Sequence, residues 1–560
     1  MDGGASDGSS PTAGRTALDV SFQQVFVRLE AAQRNVPVET TIAAWPSHAR
    51  LQLDGKSGRL LPSSHGGHRV THVLIGLCLA CVLLGMVPTL ATFAQFLAVG
   101  LHGIWNHYPK CRDVTPRVSF LLPAWNEADV LGASIDSLMS IDYPAGLWRI
   151  YVVDDASTDH TPDVMRQKMA QYPGAVFHLR REKGGQGKAH TLNHGIREIL
   201  AENWAEAVMI MDADVLFEPI TLRRMTRHLA DPAVGGVTAY VKEGSQPPSL
   251  LSRFIAFEYI TAQAAARRAQ NVMGGLPCMA GGAQLHSREN LLAIGGAIDT
   301  STLAEDTFTT IKTQLAGRRA LFDGNAVVWA EEPDSVVALW KQRVRWGRGN
   351  LQITRAFRHL WFRPDRSRIF GDIPFGFLWF SIAFMPLFMI VGSAGLVGLF
   401  YAWPPWAPMA FVALWGVTFA SYLFQTLFSF AIDPATARRC WFEGIAFPGL
   451  LSLGVMMLAV LGLKPFTGSA DWPQPGGWSW RDIAVQVVLG WSAISTLLAW
   501  AVYRLDKAGA PKGLRNALLV LVGYGPLLCA ICLGAMMAQV RNADLKWDKT
   551  VKSGKARLPT

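Results

Sequence analysis

The chain has 560 residues; half are hydrophobic, only 17% are charged, and Trp occurs 20 times, giving a mean hydropathy of +0.21. This composition excludes a disordered chain, a collagen-like repeat and a small disulfide scaffold, and it directs attention to membrane spans. Lys and Arg (52) exceed Asp and Glu (42) by ten. In so apolar a chain the excess marks cytoplasmic loops and anionic headgroups; no compact basic domain stands out, so nucleic acid is not an expected partner.

Residues 1–70 are mixed and polar, with an amphipathic helix expected within Ala17–Glu39 and no cleavable signal. Residues 71–104 form the first apolar segment. Its run from Val73 to Leu101 carries no charge and exceeds the roughly 20 residues that cross a bilayer. Gly85 and Pro88 leave two forms open, one kinked span or a tight pair. Cys78/Cys81 here, and Cys529/Cys532 later, are CxxC pairs inside apolar runs, where packing is expected rather than zinc or redox chemistry.

From 105 to 338 the charges return. Val118–Leu122, Ile150–Val153, Val176–Leu179 and Val208–Met211 read as buried strands, and Ile135–Met139 and His190–Leu200 carry helical periodicity between them. The alternation predicts an α/β domain with a mixed, mostly parallel sheet, whose ligands bind beyond the carboxyl ends of the strands. Residues 339–372 are basic and amphipathic. Residues 373–540 hold five expected spans, at about 375–402, 407–430, 443–463, 483–503 and 516–539, and 541–560 is a basic tail. Arg438 and Arg439 in one loop, and Arg504, Lys507, Lys512 and Arg515 in another, place those loops and the α/β domain in the cytoplasm, with the 465–482 loop outside. Five spans would then send the basic tail outside. Either the charge rule fails there or one segment is re-entrant, and the Gly523–Tyr524–Gly525–Pro526 break singles out the last.

Three strand ends carry polar or acidic residues: Pro123–Ala124–Trp125–Asn126–Glu127, Asp154–Asp155–Ala156–Ser157 and Asp212–Ala213–Asp214. Singly, such residues cap helices and make turns. Together at one sheet edge they point to a ligand site. Asp212 and Asp214, two residues apart on extended backbone, face the same side and suit a hard cation, Mg²⁺ or Mn²⁺, completed by phosphate. Lys183–Gly184–Gly185–Gln186–Gly187–Lys188 is a glycine-rich basic loop suited to a phosphate or sugar-nucleotide, but it is not a Walker A loop because Ala189 follows Lys188. Glu305–Asp306 before a helical stretch is either a cap or a general base. Gln342–Arg343–Val344–Arg345–Trp346 lies on an amphipathic helix that puts Gln342, Arg345 and Trp346 on one face, for a diphosphate and a sugar ring or for the headgroup region of a membrane.

These motifs, in this order and followed by apolar spans, resemble the processive, membrane-embedded family 2 glycosyltransferases: the cellulose, chitin, hyaluronan and poly-N-acetylglucosamine synthases. The Leu339–Trp346 segment looks closest to the bacterial poly-N-acetylglucosamine type. The resemblance implies a GT-A fold and inverting transfer from a UDP-sugar, UDP-GlcNAc favoured, to a growing polysaccharide. It implies that Pro123, Trp125, Glu127, Asp154 or Asp155, Lys188 and Asp212 hold the nucleotide, and that Asp214 with Asp212 holds the cation. Asp306, beside Glu305, would be the base, and Trp346, Gln342, Arg343 and Arg345, with Gly281 and Gly282, would serve the acceptor and diphosphate. The C-terminal spans would carry the polymer out through the cell membrane, in contact with membrane lipid. Two features depart from relatives: Ala304 precedes Glu305 where several have Thr, and no domain large enough for a cyclic dinucleotide follows the last span. Regulatory or export subunits remain compatible partners. The alternatives are a UDP-glucose-using β-glucan synthase, a single-transfer enzyme acting on a lipid carrier, and a non-catalytic transport or scaffold protein.

Overall fold

The computed structural model describes residues 65–104, 108–363, 373–403, 407–461, 480–541 and 552–558. The helix expected within 17–39 and most of the 465–482 loop lie outside these residues.

Eight strands form one sheet: β1 (Val118–Ala124), β2 (Trp148–Asp154), β3 (Val176–Arg180), β4 (Ala207–Met211), β5 (Leu216–Phe217), β6 (Val234–Glu243), β7 (Ala283–Ser287) and β8 (Arg319–Ala330). The spatial order is β3-β2-β1-β4-β7-β6-β8-β5. β1 runs parallel to β2 and β4, and β2 parallel to β3, with Leu121 opposite Tyr151 and Ile210. β7 then enters antiparallel between β4 and β6, and β6 runs parallel to β8. This is the mixed, mostly parallel sheet that the strand–helix alternation predicts, in the GT-A-like arrangement that the resemblance implies.

Period-two alternation divides the first strands between two cores. Phe120, Leu122, Ile150, Val152, Met209 and Met211 pack with Leu131, Ile135 and Leu138 of α2 (Ala128–Met139). Leu121, Tyr151, Val153, Val208 and Ile210 pack on the other face with Leu192, Ile196 and Ile199 of α4 (Lys188–Glu202), while α3 (Thr161–Gln171) joins β2 to β3. Each fully buried Leu, Ile or Phe side chain stabilises the sheet by roughly 1.5–3 kcal/mol. The later strands escape a reading by hydrophobic runs because β6 opens on Gly235–Gly236 and β7 buries polar side chains, His286 bonding Gln284 at 3.0 Å.

The catalytic half is completed by α5 (Thr221–Thr226), α6 (Leu250–Glu258), a π-helix (Tyr259–Ala265), α7 (Ala266–Met273), α8 (Arg288–Ala293), α9 (Glu305–Leu315) and α10 (Val336–Ala356). The first apolar segment is a single helix, α1 (His65–Ile104), which runs through Pro88. After α10 come α11 (Ile373–Ala383), α12 (Met385–Ala402), α13 (Ala407–Ile432), α14 (Pro434–Arg439), α15 (Trp441–Ala446), α16 (Leu450–Leu461), α17 (Trp480–Leu489), α18 (Trp491–Lys507), α19 (Lys512–Val522) and α20 (Tyr524–Val540).

Among the described residues three helical stretches are long and apolar enough to cross a membrane, Val70–Ile104, Met385–Ala402 and Ala407–Ile432. A fourth is the pair α19–α20, bent by 91°. The sequence alone suggests more continuous spans than this. The 375–402 run breaks at Phe384, ahead of Pro386, which lacks the N–H that a continuous helix needs. The 483–503 run breaks at Gly490. The α19–α20 bend depends on glycine: a Cβ on Gly523 would sit 2.4 Å from the backbone N of Gly449, and both residues have positive φ. α1 leaves Val73 72%, Leu77 60% and Leu83 65% exposed, an apolar surface too extended for water.

Residues 552–558 return to the α/β domain. Ala556 bridges Ser245, Gln246 N–H donates to Lys555 O at 2.9 Å, and Arg557 N–H donates to Gly244 O at 3.0 Å. Glu331 anchors this strap by accepting from Ser553 N, Ser553 Oγ and Lys555 N at 2.8–3.0 Å.

Beside the strap, Glu243 is a pH-dependent weak point. Burial pushes its carboxyl from an ordinary 4.5 up to about 7, against the bonds from Ser245 and with help from Glu332 and Glu331. A raised folded-state value means that the folded chain holds the proton more tightly than the unfolded chain. Its contribution is therefore complete below about pH 4.5 and lost as pH rises through 7, a change of roughly 1–3 kcal/mol. The thermal midpoint in detergent is expected to fall between pH 5 and pH 8. Glu243→Gln, whose carbonyl still accepts from Ser245 N–H, is expected to flatten that slope; an unchanged slope would assign it to other groups.

Candidate active site

The carboxyl ends of β1 and β4, the segment before β7 and the starts of α4, α9 and α10 converge on a cavity of about 460 Å³. Thirteen of the sixteen residues singled out in the sequence line it: Pro123, Glu127, Lys188, Asp212, Asp214, Gly281, Gly282, Glu305, Asp306, Gln342, Arg343, Arg345 and Trp346. Trp125, Asp154 and Asp155 do not.

Those two Asp residues do local work. Asp154 is fully buried; it accepts from Ser157 N–H at 2.7 Å and from Arg180 Nη1 at 2.7 Å. Burial raises its carboxyl, but the bonds from His178 and Ser157 and the charge of Arg180 outweigh it and hold the group below the usual carboxylate range. Asp155 pairs with Arg181 and accepts from Gly185 N–H at 2.8 Å, which fixes the glycine-rich loop. Asn126, at φ +54°, accepts from Thr158 N–H at 2.8 Å and stitches the β1 and β2 loops together.

The acidic centre is held by two lysines. Lys188, the first residue of α4, lies 2.5 Å from Asp212 Oδ1 and 3.5 Å from Glu305 Oε1. Burial works against its charge, but Asp212 and Glu305 overcome it and hold the ammonium above its ordinary range. Lys552, from the C-terminal strap, lies 2.8 Å from Asp214 Oδ2. Sequence reading missed Lys552: nothing in a basic tail indicates that it folds back onto a strand end more than 300 residues earlier.

Asp306 sits in the first turn of α9. Its Oδ1 accepts from Thr307 N–H at 2.7 Å and its Oδ2 from Gly281 N–H at 3.1 Å, so the carboxylate is fixed in orientation. A Cβ on Gly281 would lie 2.9 Å from Lys188 Nζ and 3.4 Å from Asp306 Oδ2, so a larger residue there would press on the lysine tip.

α10 supplies the opposite wall. Its N-cap Ser335 accepts from Ala338 N–H. Gln342 Nε2 donates to Glu332 at 3.2 Å, and Arg343 is paired with Glu258 at 2.8 Å. Trp346 is 37% exposed and lines the cavity. The lining also includes the apolar Phe375, Leu378, Trp379 and Ile382 of α11. Gln263, Arg267 and Gln270 also line the cavity and were not anticipated, although their spacing of four and three residues along one helical face is readable.

The donor set suits a hard divalent cation. Among the described residues no group of three or more His, Cys, Asp or Glu side chains gathers into a cage. Two carboxylates at one strand end, open to the cavity, match a cation whose other ligands are phosphate and water.

Residues 116–349 match the family described as Glycosyltransferase like family 2. The chain is 26% identical over 379 residues to the "Probable glycosyltransferase YdaM" of Bacillus subtilis, covering 65% of this chain and 88% of that protein. It is 30% identical to the beta-monoglucosyldiacylglycerol synthase of Synechocystis and 27% identical to the poly-beta-1,6-N-acetyl-D-glucosamine synthase of Staphylococcus epidermidis, each over 237 residues. Each match covers 42% of this chain, and 48% and 55% of those relatives, about half their length. A solved mannosyltransferase from Pyrobaculum calidifontis, in complex with GDP-Man and Mn²⁺, aligns over 69% of this chain and 98% of its own, with 22% identity and a TM-score of 0.47. Residues 116–349 thus form a family 2 glycosyltransferase domain, and the relatives of the chain include proteins named as polysaccharide and glycolipid synthases.

Proposed function

We propose that the protein is a processive, inverting glycosyltransferase that polymerises a UDP-sugar, UDP-GlcNAc favoured, into a β-linked polysaccharide and passes it out through the membrane. The observation that carries this reading is the continuity of one cavity, from Asp212 and Asp214 past Asp306 and Trp346 to the apolar α11.

In this reading the acceptor hydroxyl oxygen attacks the anomeric carbon from the face opposite UDP. The bond from that carbon to the diphosphate oxygen breaks, UDP leaves with the electron pair, and Asp306 takes the hydroxyl proton. One displacement inverts the configuration and needs no covalent intermediate. Lys188, Lys552 and Arg345 face the developing diphosphate charge. A divalent cation held by Asp214 and Asp212, when bound, neutralises the same charge. Trp346 stacks on the terminal sugar and keeps the chain in register for the next transfer. The α/β domain lies in the cytoplasm of a cell-membrane protein, and the polymer leaves past the apolar wall of α11.

A second reading is favoured by the apolar wall itself. Phe375, Leu378, Trp379 and Ile382 suit the lipid of a single-transfer acceptor as well as a membrane exit, and the Synechocystis relative is a glucosyldiacylglycerol synthase. Detergent-purified protein given UDP-GlcNAc and UDP-glucose in parallel, with Mg²⁺ or Mn²⁺, separates the two. UDP release with a high-mass product from one donor supports the polymerase. UDP release that needs added diacylglycerol and ends at one sugar overturns it in favour of the second.

A further inference from the structure

Glu258 ends α6, where the helix passes into the π-helix Tyr259–Ala265. Its Oε2 accepts two bonds, from Arg343 Nη2 at 2.8 Å and from the Tyr524 hydroxyl at 2.7 Å. The guanidinium carbon of Arg343 lies 4.1 Å from the centroid of the Trp346 ring. Tyr524 is the first residue of α20, directly after the 91° bend. The neighbouring Tyr259 hydroxyl donates to Glu332 Oε1 at 2.7 Å, and Glu332 Oε2 accepts from Gln342 at 3.2 Å. Three segments distant in sequence thus meet on two adjacent carboxylates.

The pair is enclosed: the Arg343 side chain is 7% exposed and the Glu258 side chain 15%. Removing one partner of such a pair leaves the other buried and uncompensated, which costs more than losing a surface ion pair. Trp side chains have a broad second torsion, so the plane of an indole depends on what packs against it. Here a fixed cation packs against Trp346 and attracts the face of its ring.

We propose that Glu258 is a positioning residue for the acceptor platform: it locks Arg343 against the Trp346 ring and ties that ring to the bent helix pair through Tyr524. The inference rests on Trp346 being the surface that holds the acceptor sugar. Loosening the clamp lets the ring swing and the growing chain dissociate between transfers, while the donor side, built on Asp212, Asp214 and Lys188, is untouched.

The test uses full-length protein in detergent, with UDP affinity, UDP-release rate and product length measured for wild type, Glu258→Gln and Tyr524→Phe. Gln keeps an oxygen for Tyr524 but loses the charge that holds Arg343. The expected result is product shortened about tenfold in Glu258→Gln and less in Tyr524→Phe, with UDP affinity within about twofold of wild type. Should Glu258→Gln fail to fold, Tyr524→Phe and the double variant Glu258→Gln/Arg343→Met, which leaves no unpaired charge, carry the test. Product of wild-type length in every variant that folds overturns the clamp. A fall in UDP affinity that matches the fall in thermal midpoint, with length unchanged, also overturns it, because that pattern is structural. Wild-type protein that turns over donor without making polymer overturns the proposed function instead, and the clamp with it.

Discussion

Asp306→Asn is expected to lower UDP release by roughly 10²–10⁴-fold, the usual contribution of a positioned general base, while UDP binding persists. The Asp306 carboxylate accepts from Thr307 N–H through one oxygen and from Gly281 N–H through the other. Asn can serve Thr307 but turns its NH₂ toward the Gly281 N–H, so two donors oppose each other. That local loss is expected to cost about 1–3 kcal/mol of stability. A fall in thermal midpoint without a fall in turnover would therefore assign Asp306 to helix capping alone. Full turnover in the Asn variant would move the base elsewhere, with Glu305, 3.5 Å from Lys188, the next candidate.

Asp214→Ala is expected to abolish Mn²⁺ binding detected by its paramagnetic resonance signal, and to reduce turnover by roughly 10²–10³-fold, as when a preorganised electrostatic partner of a leaving group is removed. The signal keeps the prediction independent of activity. Lys552 sharpens it, because its ammonium lies 2.8 Å from the Asp214 carboxylate and its strap is anchored separately through Glu331. Mn²⁺ binding by Asp214→Ala equal to wild type would place the cation elsewhere.

Much of the architecture is legible from the sequence because its physics is local. The runs that mark the first four strands are apolar but for Ser119 and His178, and residues 116–349 carry strand-end acids whose spacing survives translation into three dimensions. Asp212–Ala213–Asp214 and Gln342–Trp346 reach the cavity because strand and helix periods fix which residues share a face. Asp154 and Asp155 show the limit of that reasoning. They too follow a strand, but their carboxylates are occupied by Arg180 and Arg181, arginines that no local rule selects. Lys552 and Glu258 fail for a related reason: each acts across more than eighty residues of chain, Lys552 on Asp214 and Glu258 on Arg343 and Tyr524. Hydropathy likewise counts apolar residues without seeing hinges, so the breaks at Phe384 and Gly490 emerge only from the fold, whereas the break at Gly523 is marked in the sequence by its Gly and Pro residues.

In the proposed function the bend at Gly523 would join synthesis to export, since the residue after it, Tyr524, bonds the same carboxylate that holds Arg343. Synthesis and export through one cavity is the central claim, and proteoliposomes test it directly. Labelled donor and cation added outside reach only molecules whose α/β domain faces outward. The account predicts that the labelled polymer accumulates inside the vesicles, where an added glycosidase cannot digest it until detergent opens the membrane. Labelled polymer that is fully digested without detergent would contradict it.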